Sequence, residues 1–130
     1  GGVSMKSLSD EYGTPLYIYD EETLRFNCKQ YVNALKEHYP QSLVTYAGKA
    51  GMMVGLLDLF AEEGLGLDVV SGGEIYTGLQ SKLLPQNMLF HGNNKSSEEL
   101  FYALEHGLRI VVDHLAELGT IKKIAGLAKL

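Results

Sequence analysis

From residue 43 to its end, the chain alternates a short apolar run with a helical pattern four times, and that rhythm restricts it to a parallel α/β architecture. The apolar runs are Leu43–Ala47, Leu65–Val70, Met88–Phe90 and Arg109–Val112. Each unit is roughly 20 residues long, within the loop lengths of βα units in a parallel sheet. The runs are almost continuously apolar, which predicts strands buried on both faces.

The helices between them carry their own signals. A helix is expected from about Met52 to Glu63, with Met53, Val54, Leu57 and Phe60 on its buried face and Gly64 at its C-cap. Ser71-Gly72-Gly73-Glu74 has the spacing of a capping box that opens a helix through about Ser81. Ser96 with Glu99 repeats that spacing for a helix ending near Gly107. A last helix is expected after a cap at Asp113, with Leu118, Ile121, Ala125 and Ala128 turned inward.

Upstream, Leu16–Tyr19 reads as a strand set off by Gly13-Thr14-Pro15. Asp20 then caps a helix with Glu21 and Glu22 in its first turn and an apolar stripe at Leu24, Cys28, Tyr31, Val32 and Leu35, ended by Pro40. Gly1-Gly2 is expected to stand outside the fold. The organisation that follows is an N-terminal segment over 1–15, a strand and helix leading into the main unit over 16–42, and βα units over 43–130.

With 130 residues, 45% of them apolar, the chain has enough material for one cored domain. A net charge of −5, with no basic cluster larger than Lys122-Lys123, points away from nucleic acid and anionic membranes and toward small molecules. The single cysteine, Cys28, excludes an intrachain disulfide framework, and no apolar stretch reaches the roughly 18 residues of a membrane helix. A reducing, cytoplasmic setting is the expectation. No spacing of His, Asp and Cys suggests a metal site.

Three of the βα units deliver an ionisable group at the C-terminal end of a strand, where parallel α/β proteins do their chemistry. Lys49 lies in Tyr46-Ala47-Gly48-Lys49-Ala50, Asp68 in Leu67-Asp68-Val69-Val70-Ser71-Gly72-Gly73-Glu74, and His91 in Phe90-His91-Gly92-Asn93-Asn94-Lys95. From those positions they could face one another. Taken singly, each has a plainer reading. A loop lysine is usually solvated, Asp68 reads equally as half of a structural charge pair, Ser71 and Glu74 are explained as a helix cap, and His91 reads equally as a polar strand end. His38, His106 and His114 sit at helix ends or caps and are assigned no function. Gly72-Gly73 before a helix suggests a phosphate cradle, but the dinucleotide fingerprint and the Walker lysine are both missing.

Four βα units fall short of a closed (β/α)8 barrel, which takes about 250 residues, and length alone suits a doubly wound sheet. The motifs choose the barrel. Together, the Lys49, Asp68 and His91 segments resemble the diaminopimelate decarboxylase family of pyridoxal-phosphate enzymes, built on an alanine-racemase-like (β/α)8 barrel of the TIM type and related to ornithine and arginine decarboxylases. Gly13-Thr14-Pro15-Leu16-Tyr17-Ile18-Tyr19-Asp20 is similar to that family's opening segment. The resemblance runs from about Leu8 to Leu127 and covers roughly a third of such an enzyme, its N-terminal portion.

The resemblance implies decarboxylation of meso-diaminopimelate to L-lysine and carbon dioxide. Lys49 would carry pyridoxal phosphate, Asp68 would lie beside that lysine, with Glu74 nearby, and Ala47 and His91 would line the floor around the pyridine ring. It further implies a homodimer, an amino-acid substrate, and an N-terminal strand at Leu16–Tyr19 that joins a second, all-β domain. Related decarboxylases of arginine, ornithine or carboxynorspermidine are the alternatives, with a non-catalytic homologue that works by association as the alternative of another class. General chemistry agrees with these roles. A lysine attacks an aldehyde only as the neutral amine, which partial desolvation at a barrel mouth favours, and a neighbouring carboxylate stabilises the cation formed afterwards. Half of a parallel barrel would also leave edge strands open, at Leu43–Ala47 and Arg109–Val112, which predicts self-association or packing with another chain.

Overall fold

The computed structural model describes residues 1–128. Six helices and four strands follow one another as α1 (Met5–Tyr12), α2 (Glu21–His38), β1 (Thr45–Ala47), α3 (Val54–Glu62), β2 (Gly66–Val69), α4 (Gly72–Leu79), β3 (Met88–Phe90), α5 (Ser97–Glu105), β4 (Arg109–Ile110) and α6 (Leu115–Ala128). All strand pairs are parallel and the sheet order is β1-β2-β3-β4. A doubly wound sheet reverses its strand order at a switch point, whereas this one advances by one strand per crossover, as a barrel does. Both edges, β1 and β4, stay open among the described residues.

Local chemistry sets the helix ends. Asp20 accepts the Thr23 N–H at 2.8 Å, and α2 stops at His38, two residues before Pro40. Gly64 takes a left-handed φ of 81° just past α3, and the Leu65 N–H reaches back to the Phe60 carbonyl at 2.9 Å in a Schellman closure. Ser96 and Glu99 form a complete reciprocal capping box. Ser71 makes only half of one: it accepts the Glu74 N–H at 3.3 Å, while the Glu74 carboxylate turns to the Val70 N–H at 2.8 Å.

The strands are covered on one face only. Leu67, Val69, Met88 and Phe90 are fully buried beneath α3, α4 and α5, where Leu57, Ile75, Leu100 and Ala103 complete a continuous core. Their neighbours Asp68 and Leu89 are half-buried on the other face. Burial on both faces, expected from the apolar runs, is therefore corrected: the second face has nothing packed over it here. On α3 the buried positions are Leu56, Leu57, Leu59 and Phe60, whereas Met53 and Val54 are 48% and 39% exposed. Those two precede or open the helix and fall before its inward face begins.

On α6, Ile121 and Ile124 pack against the core and Ala125 is half-buried, but Leu118 is 49% exposed. The inward placement expected of the Ala128 side chain lies outside the described residues. The cap of α6 also differs from expectation: the Glu117 N–H points to His114 Nδ1 at 3.3 Å, and Asp113 instead offers its backbone N–H to the Glu117 carboxylate at 3.0 Å.

Residues 16–19 form no strand among the described residues. An extended segment needs a partner ladder, and none lies beside this one, so Tyr17 is 89% exposed. α1, which has no buried residue, adds a helix to the N-terminal segment, where none is expected from sequence. Gly1, set aside on sequence grounds, lies with its ammonium against Asp20. Arg25 binds α2 to α3 through Glu62 at 2.9 Å and Glu63 at 2.8 Å, fixing the helix that leads into β1.

Candidate active site

The register builds the open face row by row. Ala47 pairs with Asp68, Asp68 with Leu89 and Leu89 with Arg109, so these four side chains form one layer across the sheet. His91 follows β3 two residues after Leu89 and returns to the same face, its backbone N–H bound to the Val69 carbonyl at 2.8 Å. His91 Nδ1 lies 4.0 Å from Asp68 Oδ1, with 53% and 26% of the two side chains exposed. At that separation the pair attracts when the imidazole is protonated but is too long for a hydrogen bond.

Lys49 sits in a single 3-10 turn, Gly48–Ala50, that continues directly from β1. Two contacts hold this turn. Gly48 is buried so closely that a Cβ there would meet Met52 Sδ at 2.8 Å, the Asp68 carbonyl at 3.1 Å and the Glu74 carboxylate at 3.3 Å. A larger residue would require Met52 to move aside and the Asp68 carbonyl of β2 to give by a few tenths of an ångström. The Tyr46 hydroxyl donates to the Gly51 carbonyl at 3.0 Å, while its ring packs on Phe60 at a centroid distance of 4.3 Å. Burial, and next the neighbouring Tyr19, push the Tyr46 phenol up from its ordinary value, so it stays a protonated donor.

Lys49 itself is exposed and has no hydrogen-bond or ion-pair partner among the described residues. The desolvation expected of it is therefore not supplied by these elements. Ala47, Asp68 and His91 lie at the C-terminal rim of the sheet on its open side, and Lys49 follows Ala47 by two residues in the turn at that rim. An exposed amine with no partner among the described residues, near a half-buried carboxylate and an accessible imidazole and beside apolar Ala47 and Leu89, suits a flat aldehyde that reacts with the amine. The residues fit that group.

Two glutamates brace the rim. Glu74 closes the loop after β2 through the Val70 N–H, and its Oε2 lies against Gly48. Glu99, besides capping α5, accepts the Gly72 N–H at 2.8 Å and so joins the starts of α4 and α5. Its N–H partners, the Ser96 backbone foremost, hold the carboxyl below its ordinary value despite the opposing effect of burial. The capping boxes were legible in sequence, but the reach of Glu99 across 27 residues was not. Nor was Lys95, whose buried contact with Glu117 has no local sequence signature. A lysine three residues after a strand-end glycine looks like any loop lysine.

Known proteins bear on this arrangement. Residues 25–130 match the family described as pyridoxal-dependent decarboxylase, pyridoxal binding domain. The chain is similar to the diaminopimelate decarboxylases of Bacillus methanolicus, 46% identical over 125 residues, and Bacillus subtilis, 44% identical over 125 residues. Those alignments take in 95% of this chain and 29% and 28% of the two relatives. Among solved structures, diaminopimelate decarboxylase from Helicobacter pylori complexed with L-lysine superposes with a TM-score of 0.89 at 32% identity, covering 98% of this chain and 32% of that one. The chain thus spans about 30% of the length of the relatives it matches. The consecutive parallel βα units, the lysine turn after β1 and a family match over most of the length lead to one conclusion: the chain belongs to the pyridoxal-dependent decarboxylases, in their pyridoxal-binding domain.

Proposed function

We propose that the protein to which this chain belongs decarboxylates meso-diaminopimelate to L-lysine and carbon dioxide with pyridoxal phosphate, and that Lys49 holds the cofactor covalently. The observation that carries this reading is the placement of Lys49, Asp68 and His91 at the C-terminal ends of three successive parallel strands, with His91 beside Asp68. Identity of 44–46% to curated diaminopimelate decarboxylases supports the choice of substrate over arginine, ornithine or carboxynorspermidine.

Each residue has a part that its position allows. Lys49 offers a free amine at the end of β1, and the Gly48 and Tyr46 contacts hold the turn that carries it. Asp68, in the adjacent strand beside Ala47, places a carboxylate on the same rim. Its Oδ1 also attracts a proton held at His91 Nδ1. Ala47 and Leu89, in the same layer as Asp68, would offer an apolar floor to the cofactor beside His91. Pyridoxal phosphate, when bound, supplies the electron sink for the carbanion left as carbon dioxide departs.

The same reading includes an amino-acid substrate, a homodimeric full-length enzyme and a cytoplasmic location. It also assigns Leu16–Tyr19 to a strand of a second β domain. No helix among the described residues is long and apolar enough to cross a membrane. The alternative of a different class, a non-catalytic chain that works by association, draws on the two open sheet edges and the uncovered face.

The test is intact mass after incubation with pyridoxal phosphate and borohydride, followed by peptide mapping, with Lys49→Ala as control. Selective labelling at Lys49, lost in the variant, is the expected outcome. Scattered labelling that persists in Lys49→Ala would remove Lys49 from this role.

A further inference from the structure

Lys95 lies in the loop between β3 and α5, where a lysine is ordinarily solvated, yet only 1% of its side chain is exposed. Its ammonium donates to the Gly92 carbonyl and to the Val111 carbonyl at 3.0 Å, and it meets Glu117 Oε1 at 3.0 Å. All three of its protons are therefore used. The Phe90 ring centroid lies 5.8 Å away. Glu117, 5% exposed, uses its other oxygen to accept the Asp113 N–H at 3.0 Å. Gly92 belongs to the loop after β3, while Val111 and Asp113 belong to the loop after β4. One buried pair thus holds two adjacent rim loops together.

A buried ion pair is a poor choice if stability alone is wanted, because well-packed apolar residues of the same volume often do as well or better. What distinguishes this pair is where it grips. His91 is anchored on the strand side by its own N–H on the Val69 carbonyl, and immediately afterwards by Lys95 on the Gly92 carbonyl. The backbone is held on both sides of the imidazole that faces Asp68. Glu117 stays ionised to keep Lys95 in place: burial works against its charge, but the Asp113 N–H and then Lys95 outweigh it and leave the carboxyl below its ordinary value.

We propose that Lys95, held by Glu117, is a positioning residue that fixes His91 beside Asp68 on the open face. Any consequence for cofactor binding rests on the function proposed above, but the geometric role does not.

The experiment reads the His91 imidazole signals in nuclear magnetic resonance spectra of the full chain, assigned with His91→Gln. In the native chain Asp68→Asn should displace those signals and leave His106, whose ring contacts the Tyr102 carbonyl, where it is. In Lys95→Met the displacement caused by Asp68→Asn should be lost while the amide signals of β1 and β2 persist. Should Lys95→Met not fold, the paired replacement Lys95→Met with Glu117→Met removes the charges together and is read in the same way. A native-sized response of His91 to Asp68→Asn in either folded variant would overturn the proposal. Loss of the fold in both would also overturn it, because the pair would then serve folding and not His91. A native chain that pyridoxal phosphate does not label at Lys49 would instead sink the functional reading and leave the His91 result standing.

Discussion

Leu67 and Val69 are fully buried under the helices, whereas Asp68 between them keeps a quarter of its side chain exposed on the opposite face. The same contrast recurs in β3, where Met88 and Phe90 are buried and Leu89 is not. One face of the sheet is the core that the helices complete, and the other carries Asp68 and His91 at its upper rim. Alternation with a period of two makes this division possible within strands that look uniformly apolar in sequence. A strand can be stabilised from one side while it presents reactive groups on the other. The covered side does not depend on what later packs over the open one.

That difference is best tested by paired substitutions in β3. Phe90→Ala removes a fully buried ring and should cost about 3–5 kcal/mol in chemical denaturation. Leu89→Ala, one residue away on the open face, should cost about 1 kcal/mol, near the centre of the range for single substitutions. Equal costs would mean that the open face is closed in solution, by a second copy or by another chain.

Acid should act on the rim before it acts on the core. Glu99 and Glu117 both have carboxyls lowered from the ordinary 4.5 in the folded chain, so the unfolded chain takes up protons first as pH falls. Their contribution is full above that ordinary value and is lost as pH falls through the lowered folded values. Stability measured across this window should decline toward acid, and by less in Glu117→Gln than in the native chain. An unchanged slope in that variant would remove Glu117 from the acid response.

The smallest expected effect separates the two caps. Ser96→Ala breaks a complete capping box and should cost about 1 kcal/mol. Ser71→Ala should cost a few tenths of that, because Glu74 is already committed to Val70 and the Ser71 contact is long, at 3.3 Å. The reverse order, read from denaturation midpoints, would show that the start of α4 depends on Ser71 after all.

Much of this molecule is written in local chemistry. The four βα units, the Asp20, Ser71 and Ser96 caps, the Gly64 closure and the placement of Lys49, Asp68 and His91 at strand ends all follow from periodicity and from residue types suited to one backbone position. Such signals need only a few neighbouring residues, so the sequence displays them. Tertiary structure decided the rest. The order β1-β2-β3-β4, and with it a singly wound sheet, depends on which strands pair, and periodicity is silent on that. The inward face of α3, the open second face of the strands and the unpaired state of residues 16–19 depend on what lies opposite each element. Glu99 reaching Gly72, and Lys95 meeting Glu117, join residues 27 and 22 positions apart. Contacts of that kind exist only once the helices have packed, because closing the chain between the partners costs entropy that no local preference offsets.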